Sequence, residues 1–446
     1  MIDLKHMKIK FLGAAGTVTG SSYLLTSDSG EQILIDLGSF QGPPEIEELN
    51  FNPLQVEYPA LLGVVLTHAH LDHCGRLPLL VQHGFTGNIY MTAPTRDLTE
   101  LSLLDSAKIH RTDNLQKILF NKVHVSQVVE KMLTVPYHRE FEIGPFRVLF
   151  RDAGHIIGSA SVIILVDGKK VVFSGDLGNS SEDITMPTET IDSADVVVME
   201  STYGDRNHPS GDPADVLREE IAEVTKNAGA LLIPAFSLER TQELLHMLHH
   251  IHPSIPVYLD SPMGQKATKI YEKYKPLMNP EIRADFKGNN PFVFPFLRAS
   301  HSRRDSMDAL YAPGPKVVIA GSGMMTGGRV MSHAAELLPL KSTRLLIVGY
   351  QGEGTLGREI LQGAKDVKIA GKPVHIEATI RETKTMSSHA DQSQLLAWLQ
   401  AISGVKKLFL THGEDGPRAA LRDKIISTTG ITDIALPTLN EELTVQ

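Results

Sequence analysis

Four side chains able to bind a transition metal fall within the stretch His68-Ala69-His70-Leu71-Asp72-His73. Zinc takes imidazole nitrogen and carboxylate oxygen, and a tight loop at a strand end can aim several such groups at one point. The loop directly follows an apolar run, Leu61 to Leu66, that reads as a buried strand. In extended chain, alternate residues share a face, so His68 and His70 grip one ion together. Asp72 and His73 lie past the turn and reach a second ion beside it. A polar loop with chance histidines is the bland alternative, but surface loops rarely gather three histidines and an aspartate this tightly.

Two more ligands come from Arg151 to Gly178. His155 precedes the run Ser161 to Val166, Asp167-Gly168 is a hairpin turn, and Lys170 to Ser174 runs back towards Asp176. The two strands of a hairpin start and finish at one edge, which makes His155 and Asp176 neighbours in space. His412 follows the apolar strand Lys407 to Leu410 and adds a ligand at another strand end. His68, His70 and His155 would hold one ion, and Asp72, His73 and His412 the other, with Asp176 bridging. Such a pair, about 3.5–4 Å apart, stabilises both oxygens of an in-line displacement at phosphorus. Two zinc ions per chain are the expected cofactor, and the same ligands admit manganese or iron.

The leaving oxygen needs a proton, and a histidine poised by a carboxylate is the usual donor. His389, in Ser387-Ser388-His389-Ala390-Asp391, and Glu200, ending the strand Val196 to Met199, are the candidates. Asp72 joins them as a catalytic candidate. Asp36 ends a third strand and reads equally as a carboxylate orienting a ligand histidine or as a strand-end turn residue.

A chain of 446 residues is too long for one ordinary core, so two domains are expected. Hydrophobic residues at 42% and charged residues at 21% are ordinary for a soluble globular protein. No apolar run is long enough for a spanning helix, and Met1 to Phe11 lacks a signal-peptide core. The single cysteine, Cys74, rules out an internal disulfide, fits a reducing cytoplasm and reads as a packing residue. A net charge of −9 argues against electrostatic coating of nucleic acid, while leaving room for a local basic cleft. Bound cations would add positive charge to such a site.

Lys8 to Leu12, Ser21 to Thr26 and Gln32 to Ile35 read as opening strands. Gly13 to Gly20 lacks the Gly-Lys-Ser/Thr ending of a phosphate loop and reads as a turn. From Asp212 the pattern changes. Asp212-Pro213 caps a helix over 213–227, followed by strand 230–234, helix 238–250 and strand 256–259, as in parallel α/β units. Lys316 to Ala320 and Arg344 to Val348 are further strands. His389 and His412 come after this insert and must return to the first domain.

The chain resembles the metallo-β-lactamase-fold nucleases of the β-CASP group, the group of ribonuclease J and the pre-mRNA 3′-end endonuclease. The first signature is the His68–His73 loop with His155, Asp176 and His412. The second is Glu200-Ser201-Thr202-Tyr203-Gly204 as motif A, His389 as motif B and His412 as motif C. Supporting stretches are Ile233 to Leu245, Asp260 to Tyr271, Gly321 to Arg329 and Gly349 to Arg358. The resemblance implies an α/β protein: an αββα metallo-β-lactamase sandwich with an inserted α/β β-CASP domain and the substrate cleft between them. Placed on this chain, the sandwich takes residues 1–205 and 384–446, and the insert takes 206–383.

The resemblance also implies a substrate. Histidine at motif C is the pattern of RNA-acting members, whereas DNA-acting members carry valine there. Single-stranded RNA is therefore the expected partner, and endonucleolytic hydrolysis the expected reaction. The chain lacks the C-terminal domain of ribonuclease J and the KH modules of archaeal relatives, which argues against a 5′-3′ exoribonuclease. A thioester or lactam hydrolase on the same fold has no use for the β-CASP motifs. Redox di-iron relatives carry glutamate where this chain has His70, and inactive scaffold subunits have lost ligands that this chain keeps. Arg329 and Arg358, in Gly-rich loops of family motifs, and Ser388 are the expected substrate-phosphate contacts. Glu239 stands where relatives usually carry glycine, which points to altered backbone shape near Arg240. A cytoplasmic protein with no membrane partner is expected, and a homodimer is compatible with the sequence.

Other features have plain readings. His246, His249, His250 and His252 have spacings that suit a metal, but no acidic or strand-end partner is evident, so a solvated helix face is expected. Arg298, His301, Arg303 and Arg304 read equally as an RNA-facing patch or a solvated loop, and Trp398 reads as core.

Overall fold

Residues 23–25 and 33–35 are apolar throughout, yet successive side chains serve different cores. Ile9 and Phe11, Tyr23 and Leu25, and Ile33 and Ile35 enter one buried cluster, while Leu12, Leu24 and Leu34 enter another. A strand sends alternate side chains to opposite faces, so a continuous apolar run means that both faces are covered. The computed structural model, which describes residues 6–112, 118–179 and 184–445, shows what covers them. A seven-stranded sheet runs in the order Glu442–Thr444, Lys8–Phe11, Tyr23–Thr26, Gln32–Ile35, Leu61–Val65, Asn88–Met91 and Met132–Thr134. A second seven-stranded sheet runs Ile434–Ala435, Lys407–Leu410, Val196–Met199, Lys169–Phe173, Ala160–Val166, Phe146–Asp152 and Phe141–Ile143.

The two sheets meet through Phe11, Tyr23, Val162, Phe173, Val198 and Phe409. Leu80, Leu103 and Val125, from helices Pro78–Gln82, Ala93–Thr112 and Lys122–Val129, cover the outer face of the first sheet. Leu395, Leu399, Leu421 and Ile425, from helices Gln392–Gln400 and Asp415–Thr429, cover the outer face of the second, together with Trp398. The layers are therefore αββα, as the resemblance implies. Among the described residues no helix is long and apolar enough to cross a membrane.

His208–Ser388 belongs to a second compact unit. Its six-stranded sheet runs Leu297–Ala299, Val257–Asp260, Lys316–Ala320, Ala230–Pro234, Thr343–Ile347 and Thr379–Glu382, and every pairing in it is parallel. Asp212 caps helix Pro213–Lys226 by accepting from the Ala214 amide at 2.9 Å. The unit ends later than the expected 383. The last strand still pairs with Thr343–Ile347, and the Thr383 amide reaches Ile347 O at 2.9 Å. His389, by contrast, bridges Gly178 of the first unit, to which it belongs. Glu239 has a φ of 64°, the left-handed region that suits the glycine of relatives, and its carboxylate accepts from Tyr271 Oη at 2.6 Å.

The Phe11 and Phe409 rings lie 5.2 Å apart in the cluster that joins the sheets. Truncating Phe409 to alanine is expected to cost about 3–5 kcal/mol in chemical denaturation. A loss below about 1 kcal/mol would show that this ring does not help to hold the sandwich.

Candidate metal centre

All seven expected ligands sit where strands of the two sheets end. Strand Leu61–Val65 delivers Thr67 and His68; His70 stays extended (φ −66°, ψ 147°) and caps the short helix Leu71–Cys74, which carries Asp72 and His73. Strand Ala160–Val166 pairs antiparallel with Lys169–Phe173, so the segments just before and after this hairpin, with His155 and Asp176, share one edge. Lys407–Leu410 runs parallel to Val196–Met199, which brings His412 beside Glu200. His412 takes a left-handed φ of 46°, and its amide donates to Ala14 O at 2.8 Å.

Two groups result. His68 Nε2 and His155 Nε2 lie 3.2 and 3.1 Å from His70 Nδ1, and 3.4 and 3.7 Å from Asp176 Oδ2. His73 Nε2 lies 3.3 Å from Asp176 Oδ1, and His412 Nε2 lies 3.5 Å from Asp72 Oδ2. Asp176 is thus common to both groups. Both of its oxygens, and His412 Nε2, are buried without a hydrogen-bond partner. An unpartnered buried carboxylate costs several kcal/mol unless a cation neutralises it. The donors therefore fit a pair of divalent cations, one per group. Cys74 stays outside both: its buried thiol donates to Ala69 O at 3.4 Å.

The ligands are held from behind. Asp36 accepts from the Thr67 amide at 2.8 Å, from Thr67 Oγ1 at 2.8 Å and from His73 Nδ1 at 2.7 Å, leaving His73 Nε2 to face Asp176. With its proton given to Asp36, Thr67 Oγ1 accepts from His68 Nδ1 at 3.1 Å, which leaves a lone pair on His68 Nε2. Thr202 Oγ1 meets His412 Nδ1 at 3.0 Å and does the same for that ring. Such partners fix the tautomer of a ligating histidine. Asp36 thus has the orienting role. The threonines were not flagged by the sequence, because a single hydroxyl beside a histidine carries no local signal. Glycines matter here too. A Cβ on Gly38 would lie 1.6 Å from Asp72 O, and one on Gly178 would lie 1.9 Å from Gly154 O. Only glycine lets these backbones close upon the two ligand loops.

Electrostatics follow from burial and from the carboxylates. Burial and the charge of His73 keep His68 well below the usual histidine range, and burial takes His70 down to about 4 despite Asp72 and Asp176. Both rings are therefore neutral, as ligation requires. His73 goes the other way: against burial, Asp176 and Asp36 hold it well above that range. Against burial again, the neighbouring His412 and the charge of His73 hold Asp72 down to about 2, and His412, His73 and His68 keep Asp176 ionised.

Glu200 and His389 stand beside this array. Glu200 is buried, with Oε1 accepting from the Leu177 amide at 2.6 Å and Oε2 from the Thr202 amide at 3.3 Å. His389 Nδ1 lies 3.2 Å from Glu200 Oε1 and 4.0 Å from Asp176 Oδ2. Burial opposes its charge, but Glu200, then Asp176 and Asp72, outweigh burial and lift His389 to about 9. Nδ1 is spoken for, so Nε2 is the nitrogen that can give up a proton.

The expected substrate contacts lie in the second unit and have partners there. Arg329 pairs with Asp260 and reaches Ser300 O at 3.2 Å, while His333 Nε2 holds the other Asp260 oxygen at 2.7 Å. Arg358 meets Glu353 at 3.1 Å, and Ser388 Oγ accepts from Arg240 Nη2 at 2.8 Å. A phosphate reaching either arginine would have to share it with a carboxylate. One reading needs correction. His246 is not on a solvated helix face: it is buried and meets Asp285 at 2.9 Å, an acidic partner that only tertiary folding brings near.

Seven histidines and aspartates at the strand ends of an αββα sandwich define a metal-dependent hydrolase. Family models agree on the parts: the metallo-beta-lactamase superfamily matches residues 15–233, the Beta-Casp domain 241–360, and the Zn-dependent metallo-hydrolase RNA specificity domain 373–437. The chain is 37% identical over 432 residues to ribonuclease TTHA0252 of Thermus thermophilus, covering 95% of this chain and 97% of that protein. It is 31% identical over 431 residues to the RNase J-like protein of Methanocaldococcus jannaschii, covering 91% and 92%. A crystal structure of a protein of unknown function from Enterococcus faecalis shares the fold, with a TM-score of 0.56 at 12% identity over 99% of this chain and 100% of that one. The chain belongs to the β-CASP ribonuclease family of the metallo-β-lactamase superfamily.

Two measurements check this geometry. Asp36→Ala removes the acceptor that orients His73 and is expected to weaken zinc binding about 10–100-fold in chelator competition. Unchanged affinity would remove Asp36 from the centre. In metal-free protein, an NMR titration of His389 is expected to have its midpoint near 9 and to fall towards the ordinary histidine range in Glu200→Gln. The direction follows because loss of the Glu200 charge leaves burial less opposed, and burial favours the neutral ring.

Proposed function

We propose that this protein is a zinc-dependent endoribonuclease that hydrolyses phosphodiester bonds of single-stranded RNA with two cations. The observation that carries the reading is Asp176, whose two oxygens face two separate ligand groups, 3.4 Å from His68 and 3.3 Å from His73. Cations so held supply Lewis-acid activation of the phosphate and of the attacking water. The chain's own residues do the rest. His68 and His70 present neutral rings beside His155 on one side, and Asp72, His73 and His412 close the other. Glu200 is fixed by two backbone amides, keeps His389 protonated at neutral pH and engages its Nδ1, which leaves Nε2 to react. His389 then gives its proton to the leaving oxygen. RNA as substrate is supported by the names of the relatives and by histidine, rather than valine, at position 412.

Labelled single-stranded RNA, set beside matched DNA with and without chelator, tests the whole reading. Internal cuts in RNA alone, lost with chelator, are expected. His389→Ala is expected to keep its metal and lose about 10²–10⁴-fold in cleavage rate. Full turnover by that variant would sink the proton-donor role. Equal cleavage of DNA would sink the substrate assignment, and product released only from one RNA end would make the enzyme an exonuclease.

A further inference from the structure

Helix Arg240–Ile251 carries His246 and His250 one turn apart, so both rings leave the same face. Asp285, the last residue of helix Pro280–Asp285, meets them there. Asp285 Oδ2 lies 2.9 Å from His246 Nε2 and 2.9 Å from His250 Nε2, and the two nitrogens lie 3.1 Å from each other. Hydrogen bonds satisfy two of the three contacts at most. Each Nε2 carries at most one hydrogen. If both carry one, two N–H groups crowd each other across 3.1 Å. If one does not, its lone pair faces an anionic oxygen.

A cation set to one side of the plane of these three atoms turns every contact into a ligand bond. Zinc–nitrogen bonds of about 2.0–2.1 Å in tetrahedral geometry set donor atoms roughly 3.3 Å apart. The protein supplies its own standard for this spacing. In the His68 group, donor nitrogens lie 3.2 and 3.1 Å apart, with rings crossed at 83° and 79° and centroids 4.9 and 5.0 Å apart. His246 and His250 repeat it, with rings crossed at 85° and centroids 4.7 Å apart.

We propose that His246, His250 and Asp285 form a further divalent-metal site, selective for zinc-like cations and separate from the His68–His412 centre. His246 is buried, whereas the His250 side chain is 51% exposed and that of Asp285 29%, so solvent reaches one side and water completes the coordination. Two imidazoles and one carboxylate suit zinc, nickel or copper far better than magnesium or calcium. The ion ties helix Arg240–Ile251 to a segment that the chain reaches only after strand Val257–Asp260 and helix Pro262–Lys273. Its role is to hold the second unit together.

Zinc alone is the probe. Full-length protein equilibrated with zinc and freed of excess by gel filtration is expected to retain one equivalent more than His250→Ala or Asp285→Asn. His250 is half exposed near the helix end, so its truncation leaves the fold intact. Anomalous diffraction at the zinc edge is expected to place a peak among His246, His250 and Asp285, and His250→Ala to erase it while the peaks at the His68–His412 centre stay. Equal zinc content in all three proteins, or anomalous peaks confined to that centre, would overturn the proposal and leave the triad as an ion pair.

Discussion

One buried carboxylate sets the terms for the rest of the first unit. Asp176 has neither oxygen hydrogen-bonded, and His68, His73, His155, His389 and His412 surround it. Desolvation opposes an ionised group there, and the rings, of which His73 and His389 are held protonated, offset only part of that cost. Cations between the carboxylate and the rings would offset the rest. Fold and chemistry are therefore linked: the sandwich supplies the energy, through the aromatic and aliphatic residues between its sheets, to hold a cluster that opposes folding until it is neutralised.

Much of the site can be read in the sequence because it lies at strand ends, and strand ends have local signatures. The hairpin turn Asp167-Gly168 is enough to make His155 and Asp176 neighbours, and the structure puts them 3.7 Å apart. Asp212-Pro213 marks a helix start to the residue. Strands Lys316–Ala320 and Gln32–Ile35 stand out because, after a polar first residue, each is a run of buried apolar residues. What stays hidden is whatever the third dimension decides alone. Asp285 has no local mark as the partner of His246. Gly38 looks like any turn glycine until Asp72 O is seen pressed against its α-carbon. The end of the insert is hidden for the same reason. Thr383 to Ser388 carries no periodicity, and only its hydrogen bonding to strand Thr343–Ile347 ties its start to the second unit.

Glu239 shows how a departure from family pattern is absorbed. Its backbone, with φ 64° and ψ −66°, is strained by about 1–3 kcal/mol for a residue with a Cβ, and a side chain in that place needs a use. The carboxylate finds one, accepting from the buried Tyr271 hydroxyl at 2.6 Å. The strain sits at the start of the helix that carries Arg240, and the same helix carries His246 and His250.

The parallel pairing of Val196–Met199 with Lys407–Leu410 has a consequence for the order of events during synthesis. Between those two strands the ribosome must make the whole of His208–Ser388. Closing so long a loop adds little entropy, since each doubling costs only about 0.6 kcal/mol. The delay, however, is unavoidable. His68, His70, His155 and Asp176 emerge early, but His389 and His412 follow the second unit, so a nascent polypeptide can gather part of the cluster before the rest of it exists. The cluster around Asp176 is therefore closed only after the second unit has been made.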